Sequence, residues 1–232
     1  AERIPFKFRV IIFIKYLFYM TSSTSLFIEF ALEKKVLQFG NFLTKAGRNS
    51  PYFFNLGAFN DGKSLKYLGE FYANKIIDTK IEFDMIFGPA YKGIPLVSST
   101  SIALSNKSTN IPYSFNRKEA KNHGEGGNII GSAIKGKVLV IDDVISAGTS
   151  INESYDLIRA NGAKIAGVIV AIDRQEKGGG ALSATQEIAN KYSIPVISII
   201  NLQDIIKYLE TTSGFTNELE LIKKYQNTYG II

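Results

Sequence analysis

Val138-Leu-Val-Ile-Asp-Asp-Val-Ile-Ser-Ala-Gly-Thr-Ser150 is the segment from which the rest of the chain can be read. Its apolar, β-branched opening, residues 138–141, has the length and composition of a strand buried on both faces, as strands of a parallel sheet are. Asp142 and Asp143 stand at the carboxyl end of that strand, where open α/β sheets bind their ligands. Behind them Ser146, Ala147, Gly148, Thr149 and Ser150 offer backbone N–H groups and hydroxyls with little bulk, and a helix is predicted from about Ile151. Free N–H donors at a helix start favour a phosphate. Adjacent carboxylates would repel that phosphate, so they must face something else, such as sugar hydroxyls or a magnesium-bound group. The segment reads as a cradle for a phosphorylated sugar; the alternative is an ordinary strand-to-helix turn with solvated acids at its mouth. It matches neither G-x-x-x-x-G-K-[ST] nor G-x-G-x-x-G.

Outward from this segment, strands alternate with helices. Helical spacing of Ile28, Leu32, Val36 and Phe39, followed by Gly40, predicts a first helix over residues 26–39. Further helices are expected at 65–77, 94–104, 151–160, 181–191, 204–209 and 218–225, and strands at 52–56, 83–87, 138–141, 165–172 and 196–200, with 112–115 extended. That order implies an α/β fold with a mostly parallel central sheet flanked by helices.

Composition narrows the chemistry. The 232 residues are 45% hydrophobic and 21% charged, ordinary for one globular domain. Of the formal charge of +6, residues 1–20 supply half through Arg3, Lys7, Arg9 and Lys15 against Glu2. The other cations are dispersed, so the chain is not expected to bind nucleic acid; a small, highly charged anion suits it better. With no cysteine and one histidine there is no thiolate nucleophile and no zinc cluster, and no G-x-S-x-G elbow occurs. The apolar run 10–20 is interrupted by Lys15, is too short for a stable membrane span and lacks a cleavage site. We read Met20 as the start of the native chain and residues 1–19 as an extension outside a single domain over 20–232.

Four other segments carry candidate chemistry. Gly88-Pro-Ala-Tyr-Lys-Gly-Ile-Pro95 follows a strand, so Tyr91 and Lys92 reach the same crevice; glycines 88 and 93 permit close backbone approach, and Lys92 suits a diphosphate. Arg117-Lys-Glu-Ala-Lys-Asn-His-Gly-Glu-Gly-Gly-Asn128 has the composition of a mobile lid that brings Lys121 and His123 to a leaving diphosphate, or of a solvated surface loop. Leu43-Thr-Lys-Ala-Gly-Arg-Asn-Ser-Pro-Tyr-Phe-Phe-Asn55 offers Phe53 and Phe54 to stack a flat heterocycle, although neighbours on a strand face opposite ways and one of the two belongs in the core. Ala171-Ile-Asp-Arg-Gln-Glu176 puts Arg174 at the rim, either to grip a carboxylate in bidentate fashion or to pair with Asp173 or Glu176.

TKAGRNSPYFFN, FGPAYKGIP, FNRKEAKNHGEGGN, VIDDVISAGTS and IDRQE, in this order, resemble the orotate phosphoribosyltransferases, a type I phosphoribosyltransferase family, from about Phe27 to the C-terminus. The resemblance implies the type I fold with a small N-terminal hood, and magnesium-dependent transfer of a 5-phosphoribosyl group from 5-phosphoribosyl diphosphate (PRPP) to orotate in pyrimidine biosynthesis. It implies PRPP contacts from Lys45, Tyr91, Lys92, Arg117, Lys118, Lys121, His123, Asp142, Asp143, Val144, Ile145, Ser146, Ala147, Gly148, Thr149 and Ser150, and orotate contacts from Phe53, Phe54, Ser146 and Arg174, with Lys45 also near the base. Lys121, His123, Asp142 and Asp143 would be the catalytic group. Magnesium would be held mainly through PRPP rather than by direct protein ligands. The resemblance further implies a cytoplasmic homodimer whose lid residues Arg117, Lys118, Lys121 and His123 reach the neighbouring subunit's site. Position 146 is serine where the family commonly has threonine; the hydroxyl is kept. Two rivals share the cradle: a purine phosphoribosyltransferase, and a PRPP-sensing regulator without the chemistry.

Overall fold

The computed structural model describes residues 23–44, 46–121 and 127–231, with positions 120, 121 and 127 described in backbone only. The expected extension over 1–19, the start at Met20, Lys45, His123 and most of the glycine-rich tip of the expected lid lie outside the described residues, as does the side chain of Lys121.

Residues 37–43 depart from the reading of the sequence. The first helix, α1, spans Ser23–Glu33 and stops well before Phe39. Lys35 adopts a left-handed conformation (φ 55°), its N–H bonds to the Leu32 carbonyl, and the Val36 N–H reaches the Ala31 carbonyl at 2.8 Å. This is a Schellman ending, with lysine where glycine is the usual choice. The chain leaves it extended as β1 (Leu37–Leu43), so Phe39 and Gly40 lie in a strand. β1 pairs antiparallel with β2 (Asn49–Phe54), Leu37 opposite Phe54 and Leu43 opposite Asn49. Leu37 and Phe39 alternate with Gln38 as a strand requires, and pairing with β2 draws them out of the helical run.

After a short 3-10 turn (Leu56–Ala58), α2 (Gly62–Thr79) begins behind Asp61, whose carboxylate accepts the Ser64 N–H at 2.8 Å, an N-cap. Then follow β3 (Met85–Gly88), α3 (Gly93–Ser105), β4 (Tyr113–Lys121), β5 (Gly127–Gly131), β6 (Lys137–Val144), α4 (Thr149–Ala160), β7 (Lys164–Asp173), α5 (Ala184–Tyr192), β8 (Val196–Asn201), α6 (Leu202–Thr211) and α7 (Thr216–Tyr229). The expected helix at 181 starts later because Ser183 and Gln186 form a reciprocal capping box, and α6 starts earlier because Asn201 and Asp204 form another. The expected lid is in part a hairpin: its basic arm, through Lys121, extends β4, and β5 returns antiparallel beside it.

The central sheet has the order β5-β4-β3-β6-β7-β8, with every pairing parallel except β4 with β5. Alternate residues of the inner strands serve opposite faces. Met85, Phe87, Val138, Val140, Val168 and Val170 join the cluster beneath α4 and α5; Ile86, Leu139, Ile141, Ile169 and Ala171 join the cluster shared with α1, α2, α3, α6 and α7. Burial on both faces gives these strands their continuous apolar runs. Leu37 and Tyr52 of the β1–β2 hairpin lie in the second cluster, which ties the hairpin to the sheet. No helix among the described residues is long and apolar enough to cross a membrane.

Gly88 ends β3 against the start of α3. A Cβ there would lie 2.1 Å from the Gly93 carbonyl oxygen, a backbone atom that cannot move aside cheaply. Gly88→Ala is therefore expected to cost about 1–3 kcal/mol by overpacking. Scanning calorimetry should show a lower melting temperature; an unchanged one would mean that this contact relaxes freely.

Candidate active site

Because β3, β6 and β7 are parallel neighbours, the turns after them open side by side on one edge of the sheet. The turn after β3 carries Tyr91 and Lys92, both exposed. Its Ala90–Tyr91 peptide is cis, and the Ala90 N–H donates to Asn116 Oδ1 at 2.8 Å, which joins the turn to β4. A cavity of about 380 Å³ beside Lys92 is walled by residues between Leu56 and Leu68 and by Pro95 and Leu96.

β6 runs two acids further than the apolar pattern suggests, and both are sequestered, Asp142 being 5% and Asp143 8% exposed. Asp142 Oδ2 accepts the Ser150 hydroxyl at 2.8 Å and Oδ1 accepts the Asp143 N–H at 2.9 Å; its carbonyl accepts the Tyr72 hydroxyl at 2.8 Å. Asp143 Oδ2 accepts from Lys92 Nζ at 2.5 Å, so the turns after β3 and β6 are linked by an ion pair. Burial, reinforced by the neighbouring Asp143 charge, pushes the Asp142 carboxyl up to about 6 despite the two hydrogen bonds that favour its ionised form. Gly148, at φ 71°, packs so close that a Cβ would fall 2.9 Å from Ile188 Cδ1, and α4 begins at Thr149. Val144 and Ile145 pack their side chains against the two cores, which leaves Ser146, Ala147 and Thr149 as the exposed members of the turn.

At the end of β7, Arg174 is committed to protein contacts on one edge. Its Nε donates to Glu176 Oε1 at 2.8 Å and its Nη2 to Ser50 Oγ at 3.0 Å, Nη2 lies 2.6 Å from Glu176 Oε1 in an ion pair, and the guanidinium lies 4.2 Å from the centre of the Tyr52 ring. Of the two pairings open in the sequence, Glu176 holds the arginine. Asp173 instead accepts the Gln175 N–H and the Thr185 hydroxyl. Phe53 is 41% exposed and stacks on Phe42, while Phe54 packs on buried Phe27, so the phenylalanine pair divides between surface and core. Arg117 is half-buried on β4, and Lys118 pairs with Glu153 of α4 in the same chain at 3.2 Å.

The architecture and the sequence as a whole have counterparts in known proteins. Residues 55–183 match the family described as a phosphoribosyl transferase domain. Over 206 residues, 88% of this chain and 97% of its relative, the sequence is 58% identical to the orotate phosphoribosyltransferase of Vibrio parahaemolyticus. It is 54% identical to that of Shigella flexneri over 213 residues, 91% of this chain and all of the relative. The crystal structure of orotate phosphoribosyltransferase from Francisella tularensis superposes with a TM-score of 0.81 at 44% identity, covering 88% of this chain and 99% of that one. The chain belongs to the orotate phosphoribosyltransferases. An adenine phosphoribosyltransferase from Leishmania donovani, with a TM-score of 0.51 at 18% identity, shares the fold alone.

In this orotate phosphoribosyltransferase several residues at the site carry no local sequence signal. Tyr72 looks like one more apolar position on a helix, Asn116 like any polar strand residue, and Ser50 and Tyr52 like hairpin filler; each acts through a partner distant in sequence. Arg48, in the turn of the β1–β2 hairpin, lies 3.7 Å from Glu176 and donates to the Lys177 carbonyl at 3.0 Å.

The buried Asp142 has a consequence for stability. Its folded-state pKa of about 6 lies above the ordinary 3.8, so ionisation favours the unfolded chain. The stability tied to its neutral form is fully present below about pH 4 and is lost as pH rises through 6, a difference of up to about 3 kcal/mol. Asp142→Asn is expected to melt higher than the parent at pH 8, with the gap closing towards pH 4. Parallel melting profiles at all pH values would contradict this.

Proposed function

We propose that this edge of the sheet carries out the family's reaction with the residues described above in specific roles. Ribose C1 of PRPP loses its bond to the diphosphate oxygen and gains one to the ring nitrogen of orotate, giving orotidine 5′-phosphate and diphosphate. Positive charge builds on the sugar and negative charge on the leaving group as the bond breaks. Asp142 and Asp143 accept hydrogen bonds from the ribose hydroxyls; Ser146, Ala147, Gly148, Thr149 and Ser150 cradle the 5′-phosphate, with Val144 and Ile145 contributing backbone only. Tyr91 and Lys92 meet the diphosphate. Lys45 lies between donor and base, and Arg174, Ser146 and the Phe53–Phe54 segment receive orotate. Preorganised cations stabilise charge that develops only as the bond breaks, so no covalent nucleophile is required.

The carrying observation is the Lys92–Asp143 ion pair. It brings the diphosphate turn to the ribose acids, and the neighbouring strand presents Arg174 from the same edge. The protein donor set for magnesium is a pair of adjacent carboxylates, and among the described residues no group of three or more acid or histidine ligands forms. Magnesium would draw most of its shell from substrate phosphate oxygens and water, with Asp142 and Asp143 beside it. When bound, Mg2+ neutralises diphosphate charge.

The same reading takes the enzyme as a cytoplasmic homodimer in which Arg117, Lys118, Lys121 and His123 serve the partner's site. The decisive assay mixes the chain with PRPP, Mg2+ and orotate and follows loss of orotate absorbance, with adenine, guanine and hypoxanthine as parallel acceptors. Consumption of orotate alone is expected. Turnover of a purine, or PRPP binding without turnover of any base, would overturn the assignment.

A further inference from the structure

Arg174 has five N–H donors, and two of them are engaged in hydrogen bonds, Nε by Glu176 and one of Nη2 by Ser50, while Nη2 also lies 2.6 Å from Glu176 Oε1 in the ion pair. One face of the guanidinium is laid on Tyr52. The Nε–Nη2 edge, one of the two with which an arginine grips a carboxylate in bidentate fashion, is thus occupied within the protein, and both N–H groups of Nη1 lie outside these contacts. The Ser50 hydroxyl cannot turn away freely, because its own proton goes to the Tyr52 carbonyl at 2.8 Å.

Glu176 is held as firmly as it holds. Its side chain is 15% exposed, and its second oxygen lies 3.7 Å from Arg48 Nη1. Arg48 belongs to the turn of the β1–β2 hairpin, rests on the Tyr229 ring at 4.9 Å and donates to the carbonyl of Lys177, the residue after Glu176. The backbone on either side of Glu176 is pinned by the C-terminal residues: the Lys177 N–H bonds to the Tyr229 carbonyl at 2.8 Å, the Ile231 N–H to the Gln175 carbonyl at 2.9 Å, and Glu176 bridges Gly230. Glu176 therefore joins the end of β7 and the hairpin turn through its carboxylate, and the tail through its backbone.

We propose that Glu176 is the positioning residue of the base site: clamped between Arg48 and the tail, it fixes the Arg174 guanidinium so that orotate is met from the Nη1 side rather than by the occupied Nε–Nη2 edge. The proposal rests on the assignment of Arg174 to the base made above. Glu176 touches neither substrate; it acts by holding the arginine in one orientation and balancing its charge. Without that charge the guanidinium becomes a buried cation free to take the substrate in other geometries.

The test uses the full chain and three variants, with KM for orotate and for PRPP measured separately. Glu176→Gln, which keeps the size and removes the charge, is expected to raise the orotate KM by at least about tenfold and to leave the PRPP KM within about threefold. Arg174→Ala is expected to do at least as much. Should Arg174→Ala raise the orotate KM while Glu176→Gln leaves it unchanged, the clamp is overturned and the base-site assignment stands; should Arg174→Ala have no effect, both fall. A joint rise of both KM values in Glu176→Gln would make Glu176 merely structural and also overturn the proposal. If Glu176→Gln does not fold, Arg48→Gln removes the outer cation together with its contacts to Tyr229 and the Lys177 carbonyl: a rise in the orotate KM alone supports the clamp, and no rise overturns it.

Discussion

PRPP is expected to produce no measurable binding heat with an Asp142→Asn/Asp143→Asn variant at concentrations that saturate the parent. A hydrogen bond to a charged group contributes about 1.5–3 kcal/mol, so losing two carboxylates should weaken the donor by at least about a hundredfold. General unfolding would imitate this result, but the direction of the Asp142 shift argues against it. Burial already disfavours the ionised carboxylate in the folded chain, so the amide relieves a cost and the variant should melt no lower than the parent at pH 8. Lys92, freed from Asp143, is more than half exposed and remains hydrated. Undiminished PRPP uptake by a folded double variant would leave the reading of this edge as a sugar-phosphate cradle without support.

Lys121→Ala should show the opposite division of effects, with turnover falling by about a hundredfold to a thousandfold while PRPP affinity changes little. A cation that meets the diphosphate mainly as its bond breaks lowers the barrier without holding the ground state. If kcat at saturation stays unchanged and only KM rises, Lys121 supplies uniform binding and the assigned role is wrong. The same variant tests the dimer. Random exchange between inactive Lys121→Ala and inactive Asp142→Asn/Asp143→Asn subunits puts both lesions in one site of each mixed dimer and none in the other, so about a quarter of parental activity should return. No recovery, in a sample whose dimeric mass is established by light scattering, would place Lys121 in its own chain's site.

What could be read from sequence follows from where the information resides. Residues 138–150 announce strand, acids, turn and helix because each step is local: β-branched burial, a charge at the strand end, small residues, then amphipathic spacing. Ser183 with Gln186 and Asn201 with Asp204 were also legible as caps, and would have corrected two helix starts. Residues 37–43 were not legible as a strand, since the signal ending α1 is a lysine in a conformation normally given to glycine. Gly127–Gly131 has too few side chains to announce a strand and owes its conformation to β4. At the site, Asp142, Lys92 and Arg174 are visible because charge at the end of a buried strand is conspicuous. The contacts that orient them are not, because Tyr72 meets Asp142 across 70 residues and Ser50 meets Arg174 across 124.

Four residues, Met85–Gly88, form the hub of the sheet, and their place in the order of synthesis matters. β3 is wholly buried, yet Met85 pairs with Val138 and Ile86 with both Leu139 and Tyr113, partners that leave the ribosome later. Until β4 and then β6 have been made, this apolar strand lacks one or both of its neighbours, and parallel pairing over such separations closes slowly. The stretch leading into the turn that carries Tyr91 and Lys92 is thus where a nascent or refolding chain is most open to association with another copy, and where a chaperone's protection would raise the yield of folded enzyme most.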